Sequence, residues 1–251
     1  MNKYWEIKAQ SDKTGELFLY GDIVSSKYWD DEVAPKDIDD ELKSLGNIDT
    51  LNVYINSGGG SVFSGFAIYN IIKRFKAKVK NAYVDGLAAS ISSVIPMACD
   101  TIYMPKNSML MIHQPWAGTL GNAKDFRNLA DRLDKIGSQI IDIYKEKTGL
   151  EQDKLLEMMD KETWMTADEA IELGFANELQ EEVNIAASID GDFLICKDIK
   201  VDTKNFKNFE SVKNNFESYR EEKKTLEPVD IYLTEQEKEF KNLKLKLLGG
   251  M

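Results

Sequence analysis

The segment Asn56-Ser57-Gly58-Gly59-Gly60-Ser61 constrains the fold more than any other part of the chain, because three glycines separate two opposite kinds of periodicity. Before it, Leu51, Val53 and Ile55 alternate within 50–56, which predicts a strand buried on one side. After it, Ser61 occupies a helix-cap position. Val62, Phe66, Ile68, Tyr69, Ile71, Ile72 and Phe75 then form a broad apolar face, predicting a helix through Phe75. A second unit follows with a strand over 78–84, a turn at Asp85-Gly86 and a small, apolar helix over 88–98. Strand and helix alternating through glycine turns indicate an α/β fold.

The remaining elements extend this pattern. A strand is predicted over 16–23, and a short helix begins at Pro35, carries Ile38, Leu42 and Leu45, and stops at Gly46. Strands are predicted over 101–104 and 109–113, followed by a loop over 114–121. The helix predicted over 122–147 places Phe126, Leu129, Leu133, Ile136, Ile140 and Ile143 at alternating intervals of three and four, a stripe that suits either a core or another helix. Thr166 and Glu169 form a capping-box pattern before a helix ending at Gly174, with a last edge element at 175–179. Beyond 183 the organisation weakens, and 197–246 mix lysine with glutamate without a glycine. The expected division is therefore a folded domain over 1–183 and a charged, marginally helical C-terminal extension over 184–251.

Charge narrows the function. Lysine and arginine total 32 against 43 aspartates and glutamates, a net charge of −11 that repels phosphate backbones, so nucleic acid is not an expected partner. The longest weakly polar stretch, 86–99, is too short to span a bilayer and contains Ser90, Ser92, Ser93 and Pro96, so no membrane segment is expected. The first ten residues carry no signal-peptide core, which predicts a cytoplasmic protein. Cys99 and Cys196 lack disulfide or zinc spacing, and His113 is the only histidine. A general base with an ordinary proton affinity near neutral pH can therefore only be His113.

Several residues could carry chemistry. The triple glycine reads either as a tight turn or as an amide cradle for a developing oxyanion. It lacks the Lys-Ser/Thr pair of a P-loop, and Phe63 stands where a dinucleotide fingerprint needs glycine. Ser90 reads as a helix cap or as a nucleophile, with the Ile91 amide beside it. His113 ends an apolar strand where side chains emerge into a loop. Asp160 and Glu162 are the nearby acid candidates, or else a solvated loop. In order along the chain, an amide cradle, a serine, a histidine and an acid supply the parts of a hydrolytic triad.

The wording of these motifs carries a resemblance. Tyr54-Ile-Asn-Ser-Gly-Gly-Gly-Ser-Val, Gly86-Leu-Ala-Ala-Ser-Ile, Met111-Ile-His-Gln-Pro and Thr166-Ala-Asp-Glu-Ala-Ile-Glu-Leu-Gly-Phe-Ala occur in the order found in the ClpP family of serine peptidases and cover about residues 15 to 182. With Tyr20-Gly-Asp-Ile, Glu162-Thr-Trp-Met and the charged extension, the chain resembles the ClpP-related head maturation (prohead) proteases of tailed bacteriophages and prophages. The resemblance implies a crotonase-like spiral of strand and helix units, with the long helix as a handle between stacked homo-oligomeric rings. It also implies Ser90 as nucleophile, His113 as base, and the Gly60 and Ile91 amides as oxyanion hole, with Gly59 as a further candidate. Glu162 takes the place of the family's aspartate, with Asp160 in reserve. Implied substrates are scaffold and capsid proteins in a bacterial cytoplasm or prohead, and no metal or organic cofactor is required. Two further departures are Gly58 in place of a usual proline and Ser92 in place of a usual glycine. An acyl-CoA hydratase or isomerase, a non-catalytic ring or scaffold module and a Ser-Lys peptidase are the alternatives to hydrolysis by this triad.

Overall fold

The computed structural model describes residues 7–11, 13–29, 32–180, 187–190, 193–196 and 199–202. An antiparallel pair, β1 (Ile7–Ser11) and β2 (Thr14–Tyr20), opens the chain. β3 (Asp22–Ile23) and β4 (Glu32–Val33) pair in parallel before α1 (Pro35–Ser44), which begins on a proline because the first helical residue needs no N–H donor. β5 (Thr50–Ser57), α2 (Val62–Arg74) and β6 (Val79–Ala89) follow. A 3-10 helix over Ser90–Ala98 leads to β7 (Thr101–Pro105) and β8 (Met109–Ile112). Then come α3 (Ala123–Thr148), α4 (Gln152–Asp160), β9 (Thr163–Thr166), α5 (Ala167–Glu172) and β10 (Glu178–Gln180).

The main sheet runs β1-β2-β5-β6-β7-β10 and is parallel from β2 to β10. β8 joins the far end of β6 in parallel and carries β9 antiparallel on its other edge. Alternation decides the two faces of β5. Leu51, Val53 and Ile55 are fully buried in a core shared with Ile68 and Ile72 of α2 and with the 3-10 helix. Residues on the opposite face form a cross-strand aromatic stack: Phe18, Tyr54, Tyr83 and Tyr103 face one another in register, with ring centroids 4.7, 4.8 and 4.9 Å apart. Such cross-strand pairs fix register as well as adding stability.

Three expected elements differ, the first being the strand expected over 16–23, which breaks at Gly21 into β2 and β3 in separate sheets. The Asp85-Gly86 turn is instead a bulge inside β6: Val84 faces Ile55 and Ala88 faces Ser57, so Asp85, Gly86 and Leu87 oppose the single residue Asn56. The Asn56 side chain fills the gap by accepting from the Leu87 amide at 3.2 Å, and the Tyr20 hydroxyl donates to Asp85. Past the bulge, Leu87, Ala88 and Ala89 pair with β8, so the strand continues where a helix was expected. The helical segment starts only at Ser90 and is of the tighter 3-10 kind, with Pro96 inside it unable to donate to a ladder. A smaller difference lies at Ser61, which occupies the N-cap of α2 without a side-chain capping bond.

α3 forms as expected, opening on a capping box between Asn122 and Asp125 and closing on Gly149 at φ +72°. Its apolar stripe is divided. Ile140 is buried with Ile141 and Tyr144, and Ile136 and Ile143 pack on the core, whereas Phe126 is 52% exposed and Leu129 and Leu133 lie outside the core. No helix among the described residues is long and apolar enough to cross a membrane. The chain divides into a unit over 1–209 and another over 210–251. The second unit, and the boundary expected after 183, lie outside the described residues. Where a marginal helix was expected, β11 (Ala187–Asp190), β12 (Phe193–Cys196) and β13 (Ile199–Asp202) form an antiparallel sheet.

Candidate active site

The site lies where β6, β8 and β9 end side by side. Ser90 is the first residue after β6, His113 the first after β8, and Glu162 the last before β9. Strand register brings them together. Ala89 faces Met111 in the parallel β6–β8 pair, so Ser90 emerges next to the strand that delivers His113. In the antiparallel β8–β9 pair Met111 faces Trp164 and Ile112 faces Thr163, which makes His113 and Glu162 the next facing positions.

The side chains follow this placement. His113 Nε2 lies 2.7 Å from Ser90 Oγ, a full hydrogen bond. His113 Nδ1 lies 3.9 Å from Glu162 Oε2, with both side chains at most 10% exposed. The other carboxylate oxygen of Glu162 accepts from the Trp164 indole at 3.3 Å. Asp160 is turned elsewhere: its Oδ1 accepts from the Gln114 side-chain amide at 3.0 Å, so of the two acid candidates only Glu162 faces the imidazole. Ser90 at φ +57° and Glu162 at φ +51° are the only non-glycine residues with left-handed backbone among those described. That conformation costs on the order of 1–3 kcal/mol and persists only when its surroundings enforce it.

The glycine turn is fitted against Ser90 and β3. A Cβ on Gly59 would come within 2.7 Å of Ser90 Cβ, and one on Gly60 within 2.2 Å of the Ile23 carbonyl oxygen, so neither position has room for a side chain. Both adopt positive φ, +100° and +134°. The Ile23 amide donates to Gly59 O and the Ser61 amide to Ile23 O, a parallel bridge that turns the Gly60 N–H away from β3. The Gly59 N–H, by contrast, donates to Ser57 Oγ at 3.1 Å. The Gly60 N–H takes part in none of these bonds. Ile91 lies in the first turn of the 3-10 helix, where N–H groups have no helical acceptor.

A hydroxyl bonded to an imidazole can attack a carbonyl, and free backbone amides placed beside it would hold the resulting oxyanion. Sequence reasoning missed four side chains around this arrangement. Trp164 lies two residues beyond Glu162 and could have been suspected from spacing alone. Ser57, Ser93 and Tyr144 give no local signal, because their contacts depend on the bulge in β6 and on the seating of α3.

A family model described as Clp protease matches residues 8–183, more than half of the chain. The chain is 37% identical over 135 residues to the ATP-dependent Clp protease proteolytic subunit of Deinococcus radiodurans, covering 53% of this chain and 65% of that relative. It is 34% identical over 153 residues to ATP-dependent Clp protease proteolytic subunit 1 of Salinibacter ruber, covering 58% and 63%. With ATP-dependent Clp protease proteolytic subunit 1 of Chlamydia abortus it shares 36% identity over 157 residues, covering 59% and 81%. The matched region thus spans slightly less than two thirds of the first two relatives' own length.

Proposed function

This chain belongs to the Clp protease family, and on that footing we propose that it is a serine endopeptidase working through Ser90, His113 and Glu162. The observation that carries this reading is the 2.7 Å contact between Ser90 Oγ and His113 Nε2 at the ends of adjacent strands. His113 Nε2 takes the Ser90 proton as Oγ attacks the scissile carbonyl, and the Gly60 and Ile91 amides receive the oxyanion. His113 then protonates the leaving amine, and water hydrolyses the acyl-enzyme by the reverse proton route. Glu162, held on its other oxygen by Trp164, orients the imidazole and stabilises its charged form. Losing one oxyanion donor typically costs about 10²- to 10³-fold in kcat, so the crowding that fixes Gly60 bears directly on rate.

Three finer readings accompany it. The outer half of the α3 stripe, with Phe126 exposed and Leu129 and Leu133 half-buried outside the core, supports assembly into a homo-oligomeric ring, with this helix as the handle of a stacked double ring. The succession of strand and helix units fits a crotonase-like spiral. The motif wording and the charged residues after 183 support a place among phage head maturation proteases acting on scaffold and capsid proteins. A hydratase or a passive scaffold would leave the Ser90–His113 bond without a task.

An active-site fluorophosphonate tests the chemistry. It is expected to label the wild type and not Ser90→Ala. Failure to label the assembled wild type, under conditions that label a control serine peptidase, would remove the peptidase reading.

A further inference from the structure

Hydroxyl groups contact the peptide on each side of Ser90, whose backbone is left-handed. Ser92 Oγ lies 2.7 Å from the Ala89 carbonyl oxygen and 2.8 Å from Ser57 O at the end of β5, so its single hydrogen is shared between these two acceptors. The carbonyl of Ser90 itself accepts from Ser93 Oγ. Since these two carbonyls belong to the peptide planes flanking Ser90, fixing both fixes its φ and ψ.

Ser93 is in turn held by α3. Its Oγ lies 2.7 Å from the hydroxyl of Tyr144. A serine has a single hydroxyl hydrogen, and with that hydrogen given to Ser90 O, Ser93 Oγ can only accept from the phenol. Tyr144 is suited to be a permanent donor. It is 1% exposed, sits edge-on to Phe175 with ring centroids 5.4 Å apart, and burial pushes its ionisation above the usual tyrosine range. Hydrogen bonds in such a chain polarise one another, so the phenol strengthens the serine's hold on the carbonyl.

Resting on the peptidase reading above, we propose that Tyr144, acting through Ser93, is a positioning residue that holds the Ser90 backbone in the left-handed conformation required for attack. The relay joins the core-facing half of α3 to the peptide that carries Oγ and the adjacent Ile91 amide. Tyr144 does not touch substrate. Its effect falls on the rate of acylation rather than on substrate binding.

Tyr144→Phe removes only the hydroxyl and keeps the ring packing, while Ser93→Ala removes the middle of the relay. In the full-length assembled protein, fluorophosphonate labelling of Ser90 and kcat for peptide hydrolysis are expected to fall about three- to tenfold in each variant, with KM unchanged, the scale of one neutral hydrogen bond. The double variant is expected to lose no more than Ser93→Ala alone. Amide hydrogen exchange of the 89–94 segment is expected to quicken in both single variants. Wild-type labelling rates and unchanged exchange in both would overturn the relay. Faster exchange in Tyr144→Phe with no labelling of the wild type would defeat the peptidase reading while sustaining the grip on Ser90. Unchanged exchange would defeat the grip whatever the labelling.

Discussion

Glu162 Oε2 stands 3.9 Å from His113 Nδ1, facing the imidazole but short of a hydrogen bond. Glu162 adopts a left-handed backbone immediately before β9, and its other carboxylate oxygen accepts from the Trp164 indole. Such contacts often tighten only when substrate or a developing positive charge on the imidazole is present.

Glu162→Gln is expected to lower kcat by about 10²- to 10⁴-fold, because an amide can orient the ring wrongly and does not stabilise an imidazolium. Asp160→Ala is expected to stay within about threefold of wild type, since Asp160 is bonded to Gln114 and not to the imidazole. Steady-state hydrolysis of a fluorogenic peptide by both variants checks this. Comparable losses would remove Glu162 from its assigned role.

Replacement of Ser90 by glycine and by alanine separates strain from chemistry. Both variants lose the nucleophile, but only glycine adopts φ +57° without a Cβ penalty. Ser90→Gly is therefore expected to be about 1 kcal/mol more stable than Ser90→Ala in urea unfolding followed at matched oligomeric state. Equal midpoints would show that the surroundings relax around alanine and that little strain is stored at the nucleophile.

The sequence made the site's members legible while leaving their geometry hidden. Glycines at 59 and 60 are visible as a motif, but the reason they must be glycine is contact with Ser90 and Ile23, residues distant in the chain. The Asp85-Gly86 signal was real. It marks a bulge because Asn56 and β8 supply partners that no local propensity encodes. The same pairing carries the strand on to Ala89 and moves the helix start onto Ser90. The α3 periodicity correctly predicts a helix, yet periodicity alone does not separate Ile140 in the core from Phe126 outside it.

Cys99 closes the 3-10 helix in a site where burial pushes its thiol pKa up to about 12. The folded state then holds this proton more tightly than the unfolded chain does. The associated stability is complete below the ordinary thiol pKa of about 8.5 and is lost as pH rises from there toward 12. In a Cys196→Ser background, alkylation by iodoacetamide at pH 8 is expected to proceed only at the rate of unfolding. Rapid modification of the folded protein would show that Cys99 is open to solvent and its thiolate accessible.

Phe126, Leu129 and Leu133 give the last test, which separates assembly from folding. The first is 52% exposed and none of the three belongs to the core, so a charge placed there meets little penalty in an isolated protomer. In a ring-to-ring contact the same charge is desolvated against apolar neighbours, where an unpaired carboxylate costs several kcal/mol. Phe126→Asp with Leu133→Asp is therefore expected to retain far-ultraviolet circular dichroism while light scattering reports a smaller assembly than wild type. Ile140→Asp, at a buried position of the same helix, is expected instead to unfold the protomer. An unchanged assembly mass in the double variant would place the contact between protomers on another surface.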